Sequence, residues 1–308
     1  MQKNMPNQQQ PANPKYCFGK PRLLIVGCGD VGRRLLPLLT KTHRVFALTS
    51  QPENAQILRL AGAIPIVGNL DQIQTLKRLS NIASTVVHLA PPNPDGVRDL
   101  RTQNLLRILS QGRQVHRIIY ISTSGVYGDC QGEWVSEERT LQPKSPRGRR
   151  RMDAEAQVRA WGVTRNACVS ILRVPGIYAE NRLPIDRIRS GTPALSPDQD
   201  VFTNHIHADD LARLIIAAIY KAMPQRVINA SDSSGLKMGE YFDAVASAYG
   251  LESPPRVSRE ELKALVSPMM LSFMQESRRL RNSRLNELGF KLRYPTVADF
   301  LQVLARKD

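Results

Sequence analysis

Short apolar runs alternate with amphipathic stretches along the first two thirds of the chain. Leu23, Leu24, Ile25 and Val26 form an unbroken apolar run that stops at Gly27-Cys28-Gly29-Asp30-Val31-Gly32. Leu35, Leu36, Leu38 and Leu39 then recur at the spacing of one helix face. Further strands are read at residues 45–49, 64–67, 85–89 and 117–122, with helices at 52–60, 72–79 and 97–109 between them. A helix at 209–220 and a strand at 226–229 follow later. The remainder, from Leu236, reads as mostly helical, with amphipathic stretches at 240–249 and 259–266. Strands that are apolar throughout, each followed by a helix, indicate a parallel sheet covered on both faces.

The first turn of this pattern carries chemistry. Its glycines are spaced G-x-G-x-x-G between a strand and a helix, the context that the dinucleotide-binding motif requires. Gly27 permits the sharp turn, Gly29 lets a pyrophosphate approach the backbone, and Gly32 lets helix and strand pack closely. The diphosphate would sit on free N–H groups at the positive end of the helix dipole. The expected fold is a Rossmann-type doubly wound α/β sheet with a small, mostly helical C-terminal lobe. In such sheets ligands gather at the carboxyl ends of the strands, which places residues 27–32, Asn69-Leu70 and 123–127 together. An acidic residue about 20 positions after the first glycine would hold the ribose diol of NAD. Thr49, Ser50 and Gln51 stand there instead. With Arg33 and Arg34 just past the third glycine, the balance leans to the 2′-phosphate of NADP, unless those arginines simply face solvent.

Composition narrows the picture. The chain has 308 residues, 42% of them hydrophobic, enough for a sizeable core. No apolar stretch is long enough to span a membrane. Residues 1–20 are rich in Gln, Asn and Pro, lack the apolar core of a signal peptide, and read as a disordered tail. Cys17, Cys28, Cys130 and Cys168 form neither a zinc pattern nor a disulfide framework, and a cytoplasmic setting is expected. No metal site is expected. The net charge of +16, from 43 basic and 27 acidic residues, favours phosphate-bearing ligands. No nucleic-acid motif accompanies it.

From Gly27 to about Asp210 the chain resembles the extended short-chain dehydrogenase/reductases, the NAD-dependent epimerase/dehydratase family. The resemblance rests on Ser122-Thr123-Ser124-Gly125-Val126-Tyr127-Gly128, Gly68-Asn69-Leu70, His88-Leu89-Ala90, Leu172-Arg173-Val174-Pro175-Gly176-Ile177-Tyr178 and Ile206-His207-Ala208-Asp209-Asp210, all in order. A weaker match lies at Ser283-Arg284-Leu285 with Leu288-Gly289. It implies a cofactor site made by Gly27, Gly29, Asp30, Val31, Gly32, Arg33, Thr49, Ser50, Asn69, Leu70, Leu89, Ala90, Pro91, Ile121 and Pro175. It implies Thr123 as the residue orienting the reacting group, and Tyr127 as a packing residue. The family's Tyr-x-x-x-Lys pair, however, is replaced by Arg147 and Arg151, and its substrate-binding Asn by Gly176. Arginine stays protonated near neutral pH and cannot exchange the proton that the phenol would. The departures resemble the atypical branch of the family.

Three stretches remain open. Arg147, Arg149, Arg150 and Arg151 crowd one helix start, either to hold phosphate or ribose or as a solvated run partnered by Asp153 and Glu155. Residues 179–205, with Arg182, Arg187 and Arg189, form either a basic lid or a polar loop. His205 and His207 would face the same way, as general acids or bases or as caps on the helix beginning at Asp209. The apolar residues 268–273, with Met274 following, point to core or a subunit face, and a homodimer is a candidate assembly. The domain division expected is 21–178 with 205–232 for the cofactor, and 179–204 with 233–308 for the substrate. The function expected is an NAD(P)-dependent oxidoreductase or epimerase/dehydratase acting on a phosphorylated or nucleotide-linked sugar or similar alcohol, with Thr123, Arg147 and Arg151 in the catalytic centre. The alternative is a non-catalytic NAD(P)-binding redox sensor or interaction module.

Overall fold

The computed structural model describes residues 19–306. Cys17 and nearly all of the expected tail lie outside the described residues, as do residues 307 and 308. Seven strands make one parallel sheet: β1 Arg22–Val26, β2 Arg44–Thr49, β3 Ile64–Val67, β4 Thr85–His88, β5 Arg117–Thr123, β6 Cys168–Val174 and β7 Arg226–Asn229. Their spatial order is β7-β6-β5-β4-β1-β2-β3. Every neighbouring pair is parallel, with Leu24 opposite Phe46 on one side of β1 and opposite Val86 on the other.

The unbroken apolar run of β1 now has a reason. Successive strand residues point to opposite faces, and both faces are covered. Leu23 and Ile25 join one core with α1 (Asp30–Leu39) and α5 (Ala208–Lys221). Leu24 and Val26 join the other with α3 (Leu100–Leu109) and α4 (Pro146–Arg165). Between β2 and β3 lies α2, Asn54–Leu60.

The helix ends expected from periodicity shift where caps decide them. The helix read from residue 97 begins after Asp99, whose side chain accepts the Thr102 amide and so satisfies an orphan N–H. The stretch at 72–79 is a 3₁₀ helix, Ile73–Leu79. The C-terminal lobe contains helices α6 (Met238–Ala248) and α7 (Val297–Ala305), packed with Tyr178 and Ile188 in a core of their own. It is less purely helical than expected. It contains a short parallel pair, Arg256–Val257 with Ala194–Leu195, and another, Arg279–Leu280 with Trp134–Val135, joins it to the rest; His205–His207 pairs with Gly176–Tyr178. No described helix is long and apolar enough to cross a membrane.

Candidate functional site

The chain order reverses between β1 and β4, and the crevice at such a switch point is where doubly wound sheets bind ligands. The glycine turn fills it. Gly27 has φ +86°, and a side chain there would begin 2.6 Å from the Ala90 amide nitrogen, inside the backbone of the β4 loop. Gly32 is tight against Cys28 Sγ at 3.0 Å and Leu89 at 3.3 Å. Gly29 has nothing within 4 Å on its side-chain side. It is also the N-cap of α1, and no side chain caps that helix. The result is an open, positive helix end with a bare backbone in front of it, the geometry that accepts a diphosphate. The Cys28 thiol beside it is pushed up to about 11, mainly by burial, so it stays protonated.

A cavity of about 850 Å³ runs from this turn to the C-terminal lobe. Of the sequence-derived site residues it is lined by Gly27, Gly29, Asp30, Val31, Gly32, Leu89, Ile121, Thr123, Arg147, Arg151 and Pro175. Arg33, Thr49, Ser50, Asn69, Leu70, Ala90 and Pro91 fall outside that lining. Thr49, Asn69, Leu70, Ala90 and Pro91 follow the carboxyl ends of β2, β3 and β4 on the same edge of the sheet. Arg33 reaches that edge, donating to Asn54 Oδ1 at 3.3 Å, and Asn54 in turn donates to Gln51. Arg34 does not. It donates to Asp209 Oδ1 at 2.6 Å, to Asp30 and to Asn181, tying α1 to α5 and the 179–205 stretch. The expectation of charge from Arg34 at the β2 end is corrected: one residue further along the helix turns it away from its neighbour Arg33.

Thr123 ends β5, and its hydroxyl accepts the Gly125 amide. A buried polar network holds this strand end. Ser122 donates to Glu155 at 2.6 Å, Glu155 takes a bidentate pair from Arg173, and Arg173 also donates to the Tyr127 hydroxyl. That hydroxyl donates to Asn229 at 2.7 Å. Tyr127 therefore packs, as expected.

The arginine run divides, because a helix rotates about 100° per residue. Arg150 is buried and donates to the Gly96 carbonyl at 2.6 Å, away from the cavity. Arg149 reaches the Pro143 carbonyl. Arg151 turns inward and donates to the Ile121 carbonyl at 2.9 Å and the Tyr120 hydroxyl at 3.0 Å. Arg147 lines the cavity, where desolvation lowers its pKa, Glu276 opposes the shift, and Arg151, Arg278 and Arg150 add to it. The expected partners Asp153 and Glu155 are engaged elsewhere: Glu155 with Arg173, Asp153 with the Asp99 amide and Gln157.

Neither Glu276 nor Arg278 stands out as a site residue in the sequence. Both line the cavity and pair at 2.8 Å. Arg187 lines it too, stacked over Phe242 at 4.3 Å and brought down to about 10 by burial alone. Arg182 closes toward the glycine turn through Asp30. His207 caps α5, accepting the Asp209 amide on Nδ1. His205 stacks on Tyr241 at 4.1 Å, and burial brings it down to about 3. It reaches the cavity as a neutral ring.

These features define a nucleotide-cofactor fold with an arginine-lined pocket, and comparison with known proteins agrees. A model of the NAD dependent epimerase/dehydratase family matches residues 23–231, and the chain belongs to that family. Protein YeeZ of Escherichia coli (strain K12) is 28% identical over 285 residues, 89% of this chain and 96% of that protein. A functionally unknown conserved protein from Silicibacter pomeroyi superposes with a TM-score of 0.76 at 27% identity, over 94% of this chain and 99% of that one. The dTDP-glucose 4,6-dehydratase of Bacillus anthracis, solved with NAD, shares the fold: TM-score 0.75, 16% identity, 93% and 96% coverage.

Proposed function

We propose that this protein is an NAD(P)-dependent enzyme of epimerase/dehydratase type acting on a nucleotide-linked or phosphorylated sugar, or a related alcohol. The observation that carries this is one cavity joining the glycine turn, Thr123 and the side chains of Arg147, Arg151, Arg187 and Arg278. The residues present fit a dinucleotide: an uncapped helix end, open space at Gly29 and close packing at Gly32. The bound nicotinamide supplies the redox chemistry. The chain's own residues bind and orient. Gly29 and the first turn of α1 receive the diphosphate; Leu89, Ile121 and Pro175 wall the cavity beside them. Thr123 orients the reacting hydroxyl or carbonyl, and Arg147 and Arg151 place positive charge where an oxyanion would develop. Arg187, half-buried with its charge disfavoured by desolvation, suits an anionic substrate group. Arg33, Thr49 and Ser50 favour the 2′-phosphate of NADP.

The test is to incubate the protein with NADP or NAD and a panel of sugar nucleotides, following nicotinamide absorbance and analysing products, since an epimerase recycles its cofactor. Conversion of at least one panel member is expected. Tight cofactor binding with no conversion favours the second reading, a non-catalytic redox sensor, which the replacement of the Tyr-x-x-x-Lys pair motivates.

A further inference from the structure

Arginines at 147 and 151 leave the cavity needing a group that can take a proton, and the segment after residue 273 brings one. Met274 is buried. The Ser277 amide donates to Asp129, its carbonyl accepts from Cys130 and Gly132, and Arg279–Leu280 pairs with Trp134–Val135. Asn204 binds both the Arg278 carbonyl and the Leu280 amide. Glu276 is thus fixed in a laced segment lying against the loop that follows β5. Its side chain is 14% exposed. Gly125, without a side chain, leaves a gap between it and Thr123. A side chain on Gly125 would begin 3.7 Å from Thr123 Oγ1 and 4.0 Å from Glu276 Oε2. The two oxygens face the same small volume.

We propose that Glu276 is the proton-transfer residue of this site, working on a substrate hydroxyl that Thr123 orients. The inference rests on the reading of the cavity as a nicotinamide-dependent sugar or alcohol site. In the oxidising direction the substrate O–H bond breaks and its proton passes to the Glu276 carboxylate. The carbinol C–H hydrogen leaves with its electron pair to the oxidised nicotinamide, and a C=O bond forms. The alcohol loses two electrons, the nicotinamide gains two, and the reverse step returns both hydrogens. Arg278 pairs with the carboxylate at 2.8 Å, and the charge of Arg147 is felt nearby. The cavity's other lining carboxylate, Asp30, sits in the glycine turn and is tied to Arg34 and Arg182. The His205 ring, buried against Tyr241, resists taking a proton.

Glu276→Gln keeps the size and removes the basicity. On whichever panel member the parent converts, kcat should fall at least about 100-fold, the scale of lost acid–base catalysis. The acidic limb of the kcat–pH profile should vanish, while NADP affinity by calorimetry stays as in the parent; some loss of melting temperature is expected from the broken pair with Arg278. A variant that turns over within about threefold of the parent overturns the inference and leaves the functional reading standing. So does a loss of kcat that keeps the acidic limb or comes with weakened NADP binding, since that marks a structural role. A parent that binds NADP and converts no panel member overturns the functional reading, and the inference falls with it.

Discussion

Gly27 and Gly29, two residues apart, test the turn differently. At Gly27 a side chain meets the Ala90 backbone and φ is +86°, so Gly27→Ala strains the fold itself. The expected outcome is a loss of roughly 1–3 kcal/mol or more in denaturant titration, together with weaker cofactor binding. At Gly29 the space is open and φ is −79°. Gly29→Leu should melt within a few degrees of the parent yet bind neither NADP nor NAD, because the obstruction lies at the shared pyrophosphate. At the β2 end, Ser50→Asp should invert the preference between the cofactors in calorimetry, by offering a diol acceptor and repelling the 2′-phosphate. The glycine motif and the missing carboxylate at residues 49–51 were legible because both sit within one continuous stretch. Glu276 was not, because it reaches Gly125 only through the pairing of Arg279–Leu280 with Trp134–Val135. Nothing in a two-residue strand announces its partner.

At the scale of elements, β5, α4 and β6 are held at their functional ends by the Glu155–Arg173 pair, whose side chains are 3% and 4% exposed. Removing one partner of a buried pair leaves the other charge uncompensated, at a cost of about 3–5 kcal/mol. Arg173→Met should lower stability on that scale by urea titration, and pairing it with Glu155→Gln should recover part of the loss. The sheet also carries a pH dependence. His88 on β4 and His205 are buried, and desolvation brings each down to about 3. In the unfolded chain a histidine titrates near 6.5, so the unfolded state takes up protons first as pH falls. Each histidine's stability is whole above about 6.5 and is lost toward pH 3, at about 1.4 kcal/mol per unit. Asp232, pushed up to about 7 mainly by burial, acts oppositely between its unfolded value near 4 and 7. His43 and His207, lowered by burial, act with them, while Asp200, raised by burial, acts with Asp232, so the histidines outnumber the carboxyls and stability falls as pH drops from about 6.5 to 4. Urea midpoints across that window check it, and a flat profile would contradict it. Six of the seven strands were legible at nearly their observed ends because their central residues are apolar; β6 was given no bounds. The starts of α2 and α3 were not, since caps and 3₁₀ turns rather than periodicity decide them.

Over the whole molecule, five arginines from separate parts of the chain meet at the cavity. Arg147 and Arg151 come from α4, Arg182 and Arg187 from the stretch before β7, and Arg278 from the C-terminal segment. Each was visible in the sequence as a basic residue, but their convergence depends on the fold folding back on itself three times. The proposed dinucleotide site rests on the residue 27–32 turn, with a proposed preference for NADP. Titration calorimetry of the unaltered protein with NADP and NAD, at low and physiological salt, tests it most directly. The account predicts that both bind, that NADP binds more tightly, and that the gap narrows as salt screens the exposed charge at the β2 end. Equal affinities would contradict the NADP preference, and no binding of either would contradict the site itself.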